Sequence, residues 1–224
     1  NDPTRPVNIG GSGGLNLTPT EIQNVSVSNG VLQIGRANAS GTGDLTIAQG
    51  TGLAATDVNA STLKLYGNNV NFGAVSVTDM IGTSVTPFTH NLEVRANNNA
   101  QITYGNIYLA NNKSLTIVGD YDAAGGGSVS IGGLTVQVGV DGGNTTGNMS
   151  VQGQNITIAS TGANPLVKVT GSGTQTFAAL GGDIFIHQDG NGSALVQTDF
   201  GLQSFDTHLA SGTGQFDIFE QQKE

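Results

Sequence analysis

Two stretches decide the fold: GVLQIGRANASGTGDLTIAQGTGL, Gly30 to Leu53, and NASTLKLYGNNVNF, Asn59 to Phe72. Each runs apolar–polar–apolar over about three residues, breaks at Gly, Asn or Ser, and begins again. Period-two alternation marks a strand with one face buried. The rhythm continues in DLTI (44–47), TLKL (62–65), NLEV (91–94), SLTI (114–117), GLTV (133–136), NITI (155–158) and DIFI (183–186). In each, a polar residue or glycine leads an in–out–in triplet. Between the triplets lie Gly, Asn, Asp, Ser and Thr, the residues that turn corners.

Read this way, the chain is a series of short strands. They are predicted at 15–17, 25–27, 31–34, 45–47, 63–65, 70–72, 75–77, 92–94, 102–104, 107–109, 115–117 and 129–131. The series continues at 134–138, 149–151, 156–158, 167–169, 184–186, 194–196, 200–202 and 216–218. Helical character is confined to single turns at Pro19–Gln23 and around Phe177–Leu180. Such short strands are poor material for a sandwich, whose strands have about five or six residues. Self-similar triplets point to a solenoid, in which no coil can bury its own core and the chain must repeat. Two or three triplets per coil predict about 20–30 residues per coil. About eight to ten coils would give a rod of roughly 40 Å.

Composition agrees. The 224 residues include 35 glycines, and charged residues make up only 10% against 36% hydrophobic. Disorder needs the opposite balance. The net charge is −9, and the seven basic residues, Arg5, Arg36, Lys64, Arg95, Lys113, Lys168 and Lys223, are scattered. No basic patch exists to neutralise phosphates, so neither nucleic acid nor an anionic membrane is an expected partner. No apolar run is long enough to insert in a membrane. There is no cysteine, which suits a secreted bacterial protein crossing an oxidising compartment.

The stretches GLNLTPTEIQNVSVSNGVLQIG (14–35), GTGDLTIAQGTGL (41–53) and ASTLKLYGNNVNFGAVSV (60–77) resemble filamentous-haemagglutinin-like repeats. NLEVRANNNAQITYGNIYL (91–109) and SLTIVGD (114–120) continue the likeness more loosely. The resemblance implies a right-handed parallel β-helix, an extracellular or bacterial cell-surface location, and a role in adhesion, aggregation or surface architecture.

Chemistry is sparse. His90, His187 and His208 stand outside metal-binding spacings. Asp206 and His208, two apart, share one face of a strand and form the densest titratable group with Asp199 and Asp217. Asp120 and Asp122 are the other close carboxylates. Asp189-Gly190-Asn191-Gly192 is the one Ca²⁺ candidate, without the bidentate Glu of an EF-hand. Gly10–Gly14 spells GxSxG but lacks a strand–turn–helix context and reads as a linker. Asn16, Asn24, Asn38, Asn59, Asn112, Asn144, Asn148, Asn155 and Asn191 begin Asn-x-Ser/Thr triplets, which are glycosylation acceptors if the export route allows it.

The expected organisation is an extended N-terminal arm over 1–14 and one all-β solenoid over 15–224. Residues 172–224 form a cap or interface, because six of the eight phenylalanines fall there among acidic residues. The expected assembly interface comprises Pro3, Arg5, Val7 and Ile9 of the arm with Phe200, Phe205, Phe216 and Phe219. The function expected is a structural, non-enzymatic subunit of a self-associating surface filament with no cofactor. The alternatives are an adhesin module of a larger exported protein that binds glycans or host surfaces, and a carbohydrate-active β-helix enzyme.

Overall fold

A computed structural model of the chain describes residues 4–27, 30–36, 43–48, 52–73, 78–132, 135–143, 146–160, 164–188, 193–207 and, as backbone, 216–219. It is an all-β solenoid whose paired strands are all parallel. The N-terminal part holds β1 (Val7–Ile9), β2 (Leu15–Leu17), the short helix α1 (Pro19–Gln23), β3 (Val31–Gly35) and β4 (Leu45–Ile47). Five three-stranded coils follow. The first is β5 (Thr62–Gly67), β6 (Val70–Phe72) and β7 (Thr78–Ile81); the second is β8 (Asn91–Ala96), β9 (Ala100–Ile102) and β10 (Gly105–Leu109). The third is β11 (Leu115–Val118), β12 (Val129–Ile131) and β13 (Thr135–Val138); the fourth is β14 (Met149–Gly153), β15 (Ile156–Ser160) and β16 (Leu166–Val169). The fifth is β17 (Gln175–Ala179), β18 (Ile184–Gln188) and β19 (Leu195–Thr198), with β20 (Gln203–Thr207) and β21 (Phe216–Phe219) opening another.

Three parallel sheets result among the described residues. One has nine strands, from β2 and β1 through β4 to β21; one has seven, from β3 to β20; one has five, from β7 to β19. The number of coils is therefore smaller than eight to ten. Each coil uses three strands, the larger of the two expected numbers, and its length varies: Leu92 pairs with Leu115 after 23 residues, but Leu115 pairs with Met149 only after 34, beyond the expected 20–30.

The triplets fold as they do because register stacks like on like. In the nine-stranded sheet Ile9, Ile47, Phe72, Ile102, Ile131, Ile158 and Ile186 form one inward column, each buried. Outward positions on the same strands are Asn8, Thr46, Asn71, Gln101, Ser130 and Thr157. Burying each such aliphatic side chain contributes about 1.5–3 kcal/mol.

Several of the polar residues that lead a triplet share one task. Asp44 Oδ1 accepts the backbone N–H of Asn69 at 3.0 Å, and Asn69 Oδ1 that of Asn99 at 3.2 Å. Asn99 Oδ1 then accepts from Ser128 at 3.0 Å, and Asn155 Oδ1 from Asp183 at 3.0 Å. A second corner repeats the device, with Asn91 accepting from Ser114 and Asn148 from Thr174. The corners thus satisfy backbone donors that sheet pairing leaves over.

Several expectations need correction. Residues 7–9 are not a free arm: β1 lies between β2 and β4, and Ile9 is fully buried. The glycine run Gly10–Gly14 is a return loop that carries the chain back to set Leu15 beside Val7, fastened by Asn8 Nδ2 donating to the Gly13 carbonyl at 2.6 Å. Phe177–Leu180 begins within β17 and is not helical, because stacking on β14 overrides local helix preference. Phe200–Leu202 is a corner rather than a strand; β20 begins at Gln203. The strand expected at 102–104 is β9, placed two residues earlier. Within 172–224, β17 and β18 continue the stack by pairing with β14 and β15. Residues 75–77 and Leu134 lie outside the described residues. Pro19–Gln23 is the helical turn expected, with Thr18 and Glu21 forming a reciprocal capping box.

Candidate functional site

The interface residues named from sequence separate. Pro3 lies outside the described residues, and the side chains of Phe216 and Phe219 do too. Ile9 belongs to the core, so no partner reaches it. Arg5 is exposed, and its Nη2 donates to the Gly14 carbonyl at 2.9 Å, bracing the glycine turn. Val7 is half-buried and lines the depression described next. At the far end Phe200 is 85% exposed, whereas Phe205 turns inward and stacks on Phe177, with ring centroids 5.1 Å apart.

The two ends of the solenoid have unlike shapes. β3 and β4 belong to one coil, yet the nine-stranded sheet continues past β4 through β1 and β2, while the seven-stranded sheet stops at β3. Two strand widths, about 9.6 Å, are therefore missing above β3. The gap is a largely apolar trough of about 340 Å³ between β2, α1 and β3, lined by Val7, Leu15, Leu17, Ile22, Val25, Leu32 and Ile34 together with Glu21, Gln33 and Gly35. Leu15 and Val25 remain nearly half exposed. At the other end β19 and β20 are sheet edges, with Leu195, Phe200 and Leu202 exposed beside them. Sequence reading missed the trough. Its signal was the apolar set Leu15, Leu17, Ile22 and Val25 packed into one short stretch before β3.

Titratable groups are mostly committed to structure. Asp120 is buried at a left-handed corner; its Oδ1 accepts from the Gly125 N–H and its Oδ2 from Gln154. Asp122 Oδ1 accepts the Ala124 N–H. His90 lies with Nε2 2.9 Å from the Ala55 carbonyl oxygen and packs edge-on against Phe88. Asp206 is exposed on β20, and its proposed partner His208 lies outside the described residues, as does the Ca²⁺ candidate 189–192. Among the described residues no group of three or more His, Cys, Asp or Glu side chains is placed to hold a metal.

Two ion-pair clusters sit on the outer faces. On the seven-stranded sheet Lys64 Nζ lies 2.6 Å from Glu93, whose other neighbour Arg95 donates from Nε at 2.6 Å and packs over the Tyr121 ring. Burial pushes the Glu93 carboxyl up, but the Lys64 and Arg95 hydrogen bonds outweigh it and hold it below its usual value. The same bond to Glu93 raises Lys64. On the five-stranded sheet Lys168 bridges Asp141 at 2.9 Å and Asp199 at 3.3 Å. Burial alone would lower Lys168; the two carboxylates leave it raised.

No family model matches this chain, and neither a curated protein nor a solved structure does.

Proposed function

We propose that the chain is a non-enzymatic, extracellular structural protein of the filamentous-haemagglutinin-like kind, a β-solenoid subunit of a self-associating surface structure. Its winding is taken as right-handed from the same resemblance. The observation that carries self-association is the trough. It combines a free parallel edge, β3, with Leu15 and Val25, apolar side chains left nearly half exposed beside it. An extended apolar segment of a second copy fits both demands, because it adds a strand to the edge and covers Leu15 and Val25. The other end supplies apolar material at Leu195, Phe200 and Leu202. A contact between unlike ends is heterologous and propagates into a filament. The commitment of Asp120, Glu93 and Lys168 to corners and ion pairs supports a scaffold over an enzyme.

Sedimentation and negative-stain microscopy across micromolar concentrations test this. Two end-blocked variants are needed, Leu15→Lys with Val25→Lys at the trough, and Phe200→Asp with Leu202→Asp at the far end. The wild type should form concentration-dependent rods longer than one subunit, and each variant alone should stay monomeric. A mixture of the two variants should form dimers and stop there, since each retains one working end. Monomeric wild type at all concentrations would overturn the proposal.

A further inference from the structure

The five-stranded sheet carries a second feature, independent of the ends. The corners that leave this sheet alternate in length. Nine residues, 82–90, follow β7 and ten, 139–148, follow β13, whereas five follow β10 and five follow β16. Two long loops two coils apart, with a short corner on the coil between them, leave a notch. Coils two apart stand about 9.6 Å from each other, which sets its width. Insertions in a solenoid map to loops on one face, which is often the binding face.

The notch is built rather than incidental. Its first wall, Gly82–Pro87, interrupts the strand that resumes at Phe88, which is buried and bridges to Leu109. Thr83 Oγ1 accepts the N–H groups of Val85 and Thr86 and meets Thr86 Oγ1 at 2.9 Å, which stiffens the loop. The second wall is Gly139–Asp141, tied down by the Val140 N–H donating to Asn111 Oδ1 at 3.0 Å. The floor is Tyr108, Thr135 and Gln137, and the volume is about 350 Å³. That lies at the small end of ligand sites, which span about 300–1,000 Å³.

The lining chemistry selects a ligand class. Gln137 is buried, and its Nε2 donates to the Gly139 carbonyl at 2.8 Å and toward Asp141 Oδ1 at 3.4 Å. This spends the amide's donors and leaves its oxygen as an acceptor. Asp141 Oδ1 is engaged by Lys168, while the second carboxylate oxygen still accepts. Tyr108 adds a half-buried ring and a phenol. Acceptors fixed beside an aromatic ring call for a ligand with many hydroxyl donors and an apolar C–H face. Two carboxylates, Asp141 and Asp199, around the single Lys168 ammonium leave a net negative charge beside the notch, which disfavours anions.

We propose that this notch binds a neutral hexopyranose unit of a glycan, with the ring against Tyr108 and its hydroxyls donating to Gln137 and Asp141. The test is saturation-transfer NMR with the full chain against methyl glycosides of glucose, galactose, mannose and N-acetylglucosamine, with their sulfated counterparts as counter-probes. At least one neutral glycoside should receive saturation, and its affinity should fall tenfold or more in both Tyr108→Ala and Asp141→Ala. Asn71→Ala, on the outer face of another sheet, should leave binding unchanged, as should the end-blocked variants. Circular dichroism checks that each variant is folded. A folded wild type that binds none of the neutral glycosides overturns the assignment. So does binding that prefers the sulfated forms, or that survives in both notch variants.

Discussion

The backbone N–H of Asn99 donates to the side-chain oxygen of Asn69, one coil earlier, at 3.2 Å, and Asn99 offers its own Oδ1 to Ser128 at 3.0 Å. Each carboxamide in this column ties its coil to the next. Asn99→Ala removes one acceptor from a part-buried donor and should cost about 1–2 kcal/mol. Asn99→Asp keeps the acceptor, as Asp44 does for Asn69 in the same column, and should cost much less. Urea unfolding of the two variants checks the difference. Equal losses would mean the donor at Ser128 is satisfied by water.

Phe177 is fully buried and stacks on Phe205 of the next coil. Phe177→Ala should destabilise by about 3–5 kcal/mol through the cavity it leaves. Phe205→Ala should cost less, because that ring is only half-buried. A solenoid unfolds by coils, so hydrogen exchange should show β20 losing protection first in both variants, with β5 to β9 unchanged.

Much of this architecture was legible because the triplets carry two signals at once. In DLTI, NITI and DIFI the apolar positions stack inward, while the leading Asp44 and Asn155 accept in the corner ladder and Asp183 donates its backbone N–H to Asn155. Position in the stack was less legible. Val7–Ile9 has the same triplet pattern, but prolines before it and glycines after it resemble an arm, and only pairing with β4 reveals a strand. Phe177-Ala178-Ala179-Leu180 has helix-forming residues whose inward alternation shows only against β14. The trough and the notch depend on where neighbouring coils end or lengthen. That property belongs to the stack and not to any one segment.

Glu93 gives the solenoid a defined acid response. Its folded carboxyl titrates below the usual 4.5, through the Lys64 and Arg95 hydrogen bonds that outweigh burial. Its contribution is therefore complete above that value and is lost as pH falls through the lowered one. Lys64 and Arg95 are each about a quarter exposed, at 27% and 25%, so solvent screening holds the contribution to about 1 kcal/mol. Glu93→Gln should lower stability by that amount at pH 7, and the gap between variant and wild type should close in acid. A gap that persists unchanged at low pH would place the effect in packing rather than charge.

Gly82 and Gly125 both have left-handed backbones, with φ of +63° and +86°, but their surroundings differ. A Cβ on Gly82 would stand 2.5 Å from the Phe88 nitrogen and from the Tyr108 carbonyl oxygen, whereas one on Gly125 would meet nothing within 4 Å. Gly125→Ala therefore carries only the backbone penalty, about 1–2 kcal/mol. Gly82→Ala adds a collision with the backbone that launches the notch wall, and with the bond from the Phe88 N–H to the Tyr108 carbonyl. It should cost clearly more, about 3 kcal/mol or above. Hydrogen exchange separates the two substitutions, because Gly82→Ala should expose the Phe88 and Ala110 amides while Gly125→Ala leaves both protected. Protection at Phe88 in Gly82→Ala would mean that the loop can re-form around a side chain, and that its wall is not held by this glycine.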